Sequence, residues 1–104
     1  MIPPLSCYRY DDVLRDLARA RLSNFVRTAQ PLGELRAAAV AVVITADNGE
    51  ASVLLTRRAS SLRAHSGQWA LPGGRIDEGE RVEEAALREL SEEVNLELPE
   101  TAVL

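Results

Sequence analysis

A run of nine uncharged residues, Ala37 to Thr45 (Ala-Ala-Ala-Val-Ala-Val-Val-Ile-Thr), is followed at once by Asp47-Asn48-Gly49 and then by a second apolar stretch, Ala51 to Arg58. β-Branched residues in a short charge-free run read as a strand covered on both faces, and Asp-Asn-Gly supplies residues that tolerate a tight reversal. The pattern predicts a hairpin with strands at 37–45 and 51–58. Strands this apolar need a cover, and the sequence offers two helical patterns to provide it. The first starts at a cap, Asp11 or Asp12, and runs to about Ala29 through Leu14, Leu17, Ala18, Leu22, Phe25 and Val26, before Pro31 and Gly33 end it. The second spans Arg81 to Val94 through Val82, Ala86, Leu90 and Val94, with Asn95 as a left-handed end and a short strand expected at Leu96 to Leu98.

What these elements can bury is limited. Only 4% of the 104 residues are aromatic, so the core must be built from Val, Leu, Ile and Ala. One small domain fits this length. The expected organisation is a lead and amphipathic helix over 1–36, followed by an α/β unit over 37–104. A single cysteine, Cys7, leaves no internal disulfide and no cysteine-based zinc site, and reads as a small apolar filler. No stretch has the ~18 to 20 apolar residues of a membrane span, and no basic lead with an apolar run marks a signal peptide. A cytoplasmic protein with no membrane partner is expected.

Charge is spread unevenly along the chain. Residues 51–75 carry Arg57, Arg58, Arg63 and Arg75 with no acid, whereas residues 76–104 carry ten acids against Arg81 and Arg88. At about 100° per residue, Glu89, Glu92 and Glu93 fall near 0°, −60° and 40° on the second helix, so three carboxylates share one face beside the stripe of Leu90 and Val94. Each like-charge neighbour costs roughly 0.2 to 0.5 kcal/mol, and the C-terminal end of a helix disfavours negative charge further. Two readings account for such a face. One is a solvated acidic surface relieved by pairs such as Glu84 with Arg88 and Arg88 with Glu92. The other is a site for hard divalent cations, completed by water and substrate phosphates. The preceding loop favours the second: Gly73-Gly74 admits close backbone approach, and Arg58, Arg63 and Arg75 suit phosphate oxygens. A phosphate substrate bridged by cations explains why a basic segment adjoins an acidic helix.

These residues also fall into a known order. Gly74, five residues, Glu80, seven residues and Arg88-Glu89-Leu90-Ser91-Glu92-Glu93-Val94-Asn95-Leu96 resemble the Nudix box, G-x5-E-x7-R-E-U-x-E-E-x-G-U, departing only where Asn95 replaces glycine. Leu54-Leu55-Thr56-Arg57-Arg58-Ala59 with Arg63, Gly67 and Leu71-Pro72-Gly73-Gly74 resembles the motif of the coenzyme A diphosphatase branch, with Leu71 in place of phenylalanine. Together they cover residues 54–96, 43 of 104 positions.

The resemblance implies an α/β/α sandwich with a mixed sheet. It implies Glu89, Glu92 and Glu93 as ligands of Mg²⁺ or Mn²⁺, with the Gly74 carbonyl as a further ligand. Glu80 and Arg88 would support that shell, Arg88 by orienting Glu89. Glu89 is the candidate for activating water, in a family whose general base differs among members. Gly73 and Gly74 would approach the substrate, and Arg58, Arg63 and Gly67 belong to the coenzyme A motif. His65 reads as a solvent-exposed loop residue and Trp69 as a packing residue under the loop, with adenine stacking as the alternative.

The implied activity is hydrolysis of coenzyme A to 4′-phosphopantetheine and adenosine 3′,5′-bisphosphate, without nucleic acid as a partner. Another nucleoside diphosphate compound such as ADP-ribose, or a non-catalytic fragment, are the alternatives. Nudix domains continue beyond the box with more strands and a helix, so the chain is expected to be the N-terminal part of a longer domain, either poorly stable or self-associating through exposed sheet edges, and less active than a C-terminally extended form.

Overall fold

A computed structural model describes residues 8–57 and 67–104 of the protein. Cys7, Arg58, Arg63 and His65 therefore lie outside the described residues. Helix α1 spans Asp12–Ser23, its first turn capped by the Asp11 carboxylate, which accepts the Leu14 N–H at 3.0 Å. The chain then forms β1 (Ala38–Val40), β2 (Ile44–Asp47), β3 (Glu50–Val53), β4 (Thr56–Arg57), β5 (Trp69–Ala70) and β6 (Gly73–Arg75). Helix α2 occupies Val82–Val94, and a single 3₁₀ turn covers Glu100–Ala102. This combination of helices and short ladders is an α/β arrangement, and each ladder among the described residues is antiparallel.

The expected hairpin is present as β2 and β3, with Ile44 opposite Val53 and Asp47 opposite Glu50. Asn48 and Gly49 both take positive φ, 51° and 81°, which matches the twist two antiparallel strands require of a two-residue reversal. Residues 8–10 add to the outside of β3: the Ala51 N–H donates to the Tyr8 carbonyl at 2.7 Å and the Tyr10 N–H to the Gly49 carbonyl at 2.9 Å.

The single strand expected over 37–45 is divided. Its first half pairs with β6, Ala38 opposite Arg75 and Val40 opposite Gly73, and the ladder is extended by Ala41 N–H to the Pro72 carbonyl and Ile76 N–H to the Ala37 carbonyl. Its second half pairs with β3. One apolar run thus serves two partners, and composition alone cannot show where the partner changes. Nor is the run covered on both faces: Val40, Val42 and Ile44 are exposed. The returning strand, expected over 51–58, divides likewise into β3 and β4.

Among the described residues, core formation is confined to α2 and the β1–β6 ladder on which it packs. There Ala39, Ala85 and Leu90 are the buried apolar residues, and Pro72 is enclosed with them. The two alanines let helix and ladder approach closely. Helix α2 ends as its sequence predicts, with Asn95 left-handed at φ 55° and its N–H on the Ser91 carbonyl at 3.0 Å. The segment Leu96 to Leu98, expected as a strand, forms none.

Helix α1 stops short of the expected Ala29. None of its residues is buried, and Phe25 and Val26 beyond it are 75% and 83% exposed, so no packing holds the pattern helical past Asn24. Leu14 and Ala18 of its apolar stripe line a shallow cleft together with Tyr8, Ile44, Ala51, Ser52 and Val53. No helix among the described residues is long and apolar enough to cross a membrane.

Candidate active site

The acidic face of α2 is organised by Arg88. Its guanidinium forms a two-pronged pair with Glu80, Nε to Oε2 at 2.8 Å and Nη2 to Oε1 at 3.0 Å. Nη1 donates to Glu89 Oε1 at 3.0 Å and to Glu92 Oε2 at 3.3 Å, and Nη2 also donates to the Arg75 carbonyl at 3.0 Å. Asp77 lies 3.5 Å from Nη2. Paired charges with planar, two-point geometry are the strong kind of hydrogen bond. The arginine is thus tied to the end of β6, to the loop before α2 and to α2 itself.

Glu80 is prepared for this pair by its own turn. Its N–H donates to the Asp77 carbonyl at 3.0 Å, and its Oε1 accepts the Asp77 N–H at 3.0 Å. The Arg88 hydrogen bonds, and then the Asp77 N–H, hold the Glu80 carboxyl below its ordinary pKa of 4.5, against the opposing effect of burial. Arg88 in turn is held firmly in its charged form, chiefly by Glu80 and then by Glu89.

Close approach does occur at Gly73-Gly74, but it is made by the protein's own groups and not by the ligand expected there, and two different neighbours require it. A Cβ on Gly74 would sit 2.5 Å from Glu89 Cδ and 2.9 Å from its Oε2, so the Glu89 carboxylate lies directly over the Gly74 backbone. A Cβ on Gly73 would instead strike the Ala39 carbonyl and come within 2.7 Å of Val40 Cα. Gly73 serves the β1–β6 ladder, and Gly74 makes room for the acid.

Four carboxylates, those of Asp77, Glu80, Glu89 and Glu92, surround the one guanidinium of Arg88, leaving a local excess of three negative charges. Glu80 and Glu89 are 14% and 16% exposed, whereas Glu92 is 59% exposed, so the excess opens outward along α2. Glu93 lies on the same helix and is exposed. Among the described residues, no three acidic, histidine or cysteine side chains converge on one point as a ready cation cage. What fits a divalent cation is the chemistry of the donors: carboxylate oxygens in excess of their counter-charge, one carboxylate seated over the Gly74 backbone.

Several expectations are corrected. Glu84 does not pair with Arg88 but closes the start of α2, accepting the Arg81 N–H at 3.3 Å and its Nε at 2.8 Å. Arg81 also bonds Glu100 of the 3₁₀ turn at 2.5 Å. Trp69 does not pack beneath a loop: it is 65% exposed. Gly67 offers its carbonyl to Arg57 Nε at 3.1 Å. Sequence reading passed over Asp77, although the Asp-Glu-Gly-Glu turn before α2, with Gly79 at φ 77°, carries the same acid-at-three spacing as a helix cap.

The profile of the NUDIX domain matches residues 35–104, and the chain belongs to the Nudix family. Nudix hydrolases generally use divalent metal ions. Nudix hydrolase 3 of Caenorhabditis elegans is 36% identical over 86 residues, which are 83% of this chain and 36% of that protein. The m7GpppN-mRNA hydrolase NUDT17 of Xenopus laevis is 46% identical over 63 residues, 61% of this chain and 21% of its own. The uncharacterized Nudix hydrolase NudL of Pectobacterium atrosepticum is 47% identical over 66 residues, 62% of this chain and 34% of its own. The chain thus spans between 21% and 36% of the length of these relatives. No solved structure matches it.

Proposed function

We propose that the chain carries the hydrolytic site of a pyrophosphohydrolase that cleaves the diphosphate of a nucleotide, with coenzyme A as the substrate and Mg²⁺ or Mn²⁺ as the cofactor. The observation that carries this reading is the placement of the Glu89 carboxylate over Gly74, with Arg88 braced on Glu80 holding it there. Glu89, Glu92 and Glu93 would hold the cation, with the Gly74 carbonyl beside them. When bound, such a cation stabilises charge on the diphosphate and acidifies water.

Glu89 is the residue that takes the proton of the attacking water, its carboxylate oriented by the Arg88 hydrogen bond to Oε1. Water oxygen bonds to one phosphorus as the bridging P–O bond breaks, and the departing phosphate takes the electron pair. With coenzyme A the products are 4′-phosphopantetheine and adenosine 3′,5′-bisphosphate. Support for coenzyme A is the motif from Leu54 to Gly74; its Arg58 and Arg63 lie outside the described residues. Similarity to an m7GpppN-mRNA hydrolase favours a second reading, the same cleavage on another nucleotide diphosphate.

The test is a substrate panel of coenzyme A, ADP-ribose and a capped dinucleotide with each metal, run beside thermal melts of the same samples. The expected result is cleavage of coenzyme A ahead of the others, a melting temperature raised by millimolar metal, and loss of both effects in Glu89→Gln and Glu93→Gln. Unchanged melting with either metal would remove the metal site, and faster cleavage of another compound would remove coenzyme A.

A further inference from the structure

Arg57 and Trp69 are partners across the β4–β5 ladder. The guanidinium carbon stands 5.9 Å from the indole centroid, within range for attraction between a cation and an aromatic face. Arg57 Nε is anchored on the Gly67 carbonyl, which fixes the guanidinium against the ring. Among the described residues no carboxylate lies within ion-pair reach of Arg57, whereas Arg81 and Arg88 are each paired with several. The indole is 65% exposed and contributes nothing to the core at Ala39, Ala85 and Leu90. An exposed indole backed by an unneutralised cation offers a planar ligand one flat apolar surface and an anionic ligand one positive group. From β5 the chain leads through Leu71 and Pro72 into β6, whose second residue is Gly74, over which Glu89 lies.

The geometry points to Trp69 and Arg57 as a stacking platform for an uncharged nucleobase whose phosphates extend toward Gly74. This rests on the reading of the chain as a nucleotide diphosphate hydrolase, and it adds a preference that reading lacks. Because the indole already carries a cation, a positively charged base gains little from it and is repelled by Arg57. The platform therefore favours unmodified purines over 7-methylguanine.

Trp69 is the single tryptophan of the chain, so its fluorescence reports on the platform alone. The experiment titrates the chain, in Mg²⁺, with ADP, GDP, 7-methyl-GDP and inorganic pyrophosphate at mildly acidic pH. ADP and GDP are expected to quench the fluorescence and to bind about tenfold more tightly than pyrophosphate, the amount a single base stack contributes. The 7-methyl-GDP should bind more weakly than GDP, and Arg57→Gln should erase that difference. By calorimetry, Trp69→Leu should bring ADP down to the affinity of pyrophosphate, with Trp69→Phe restoring part of the gain. Equal affinities for ADP and pyrophosphate, or unchanged ADP binding in Trp69→Leu, would overturn the platform even if coenzyme A is cleaved. Quenching by ADP in a chain that cleaves none of coenzyme A, ADP-ribose and a capped dinucleotide would leave the platform standing and remove the hydrolase reading.

Discussion

The two helices of this chain are similar in length and opposite in what holds them. Helix α2 buries Ala85 and Leu90 against the β1–β6 ladder, is closed by Glu84 at its start and Asn95 at its end, and is tied to the preceding loop through Arg88. Helix α1 has a good cap and a regular apolar stripe, yet buries nothing. Local sequence signals suffice to form a helix in both cases, but only tertiary burial makes one a rigid platform. The difference coincides with chemistry. The candidate site stands on the helix that is packed on the β1–β6 ladder and tied by Arg88 to the preceding loop and to the Arg75 carbonyl, which is where placement to within fractions of an ångström can be maintained.

This contrast can be broken by substitution. The largest stability loss is expected for Leu90→Ala, about 2 to 5 kcal/mol in thermal or urea unfolding, because the cavity opens in the one packed layer. Gly73→Ala should follow at about 1 to 3 kcal/mol, since the new methyl meets the Ala39 carbonyl and Val40 in the ladder beneath α2. Arg88→Met should lower the rate of diphosphate hydrolysis about 10- to 100-fold by releasing the support of Glu89. The same variant sharpens the electrostatic side of the comparison. The Glu80 carboxyl titrates below its ordinary value of 4.5 in the folded chain, so its contribution to stability is complete above that value and is lost as pH falls through the folded pKa. Metal-free melts should therefore fall more steeply with acid in the parent chain than in Arg88→Met. On α1, Leu17→Ala should change stability by no more than about 0.5 kcal/mol. A loss there equal to that of Leu90→Ala would end the contrast between the helices.

What the sequence made legible follows the same division. Asp47-Asn48-Gly49, the Asp11 cap, the start of α2 and the left-handed Asn95 depend on residues within one turn of each other, and each is found where expected. The division of 37–45 between β6 and β3 was not legible, because nothing in Ala-Val-Ala-Val says which distant segment supplies hydrogen bonds. The end of α1 at Ser23 was hidden for a related reason: its stripe predicts a partner surface that the described residues do not provide. In the site, helical spacing put Glu89, Glu92 and Glu93 on one face. It also gave the Arg88–Glu92 pair, but it could not show that Asp77 and Glu80 of the preceding loop join the same guanidinium, or that Glu89 and not Glu92 covers Gly74. Trp69 was expected to pack because large apolar residues are usually buried, whereas it is exposed.

The central claim is that the backbone of Gly74 is kept bare so that the Glu89 carboxylate can occupy the site above it. Gly74→Ala tests this directly, with the rate of diphosphate hydrolysis and the melting temperature measured on the same preparation. The account predicts a chain that still melts cooperatively while its rate falls about a hundredfold, the expected consequence of moving a reacting group by about 1 Å. A folded Gly74→Ala chain that cleaves its substrate at the parental rate would contradict it.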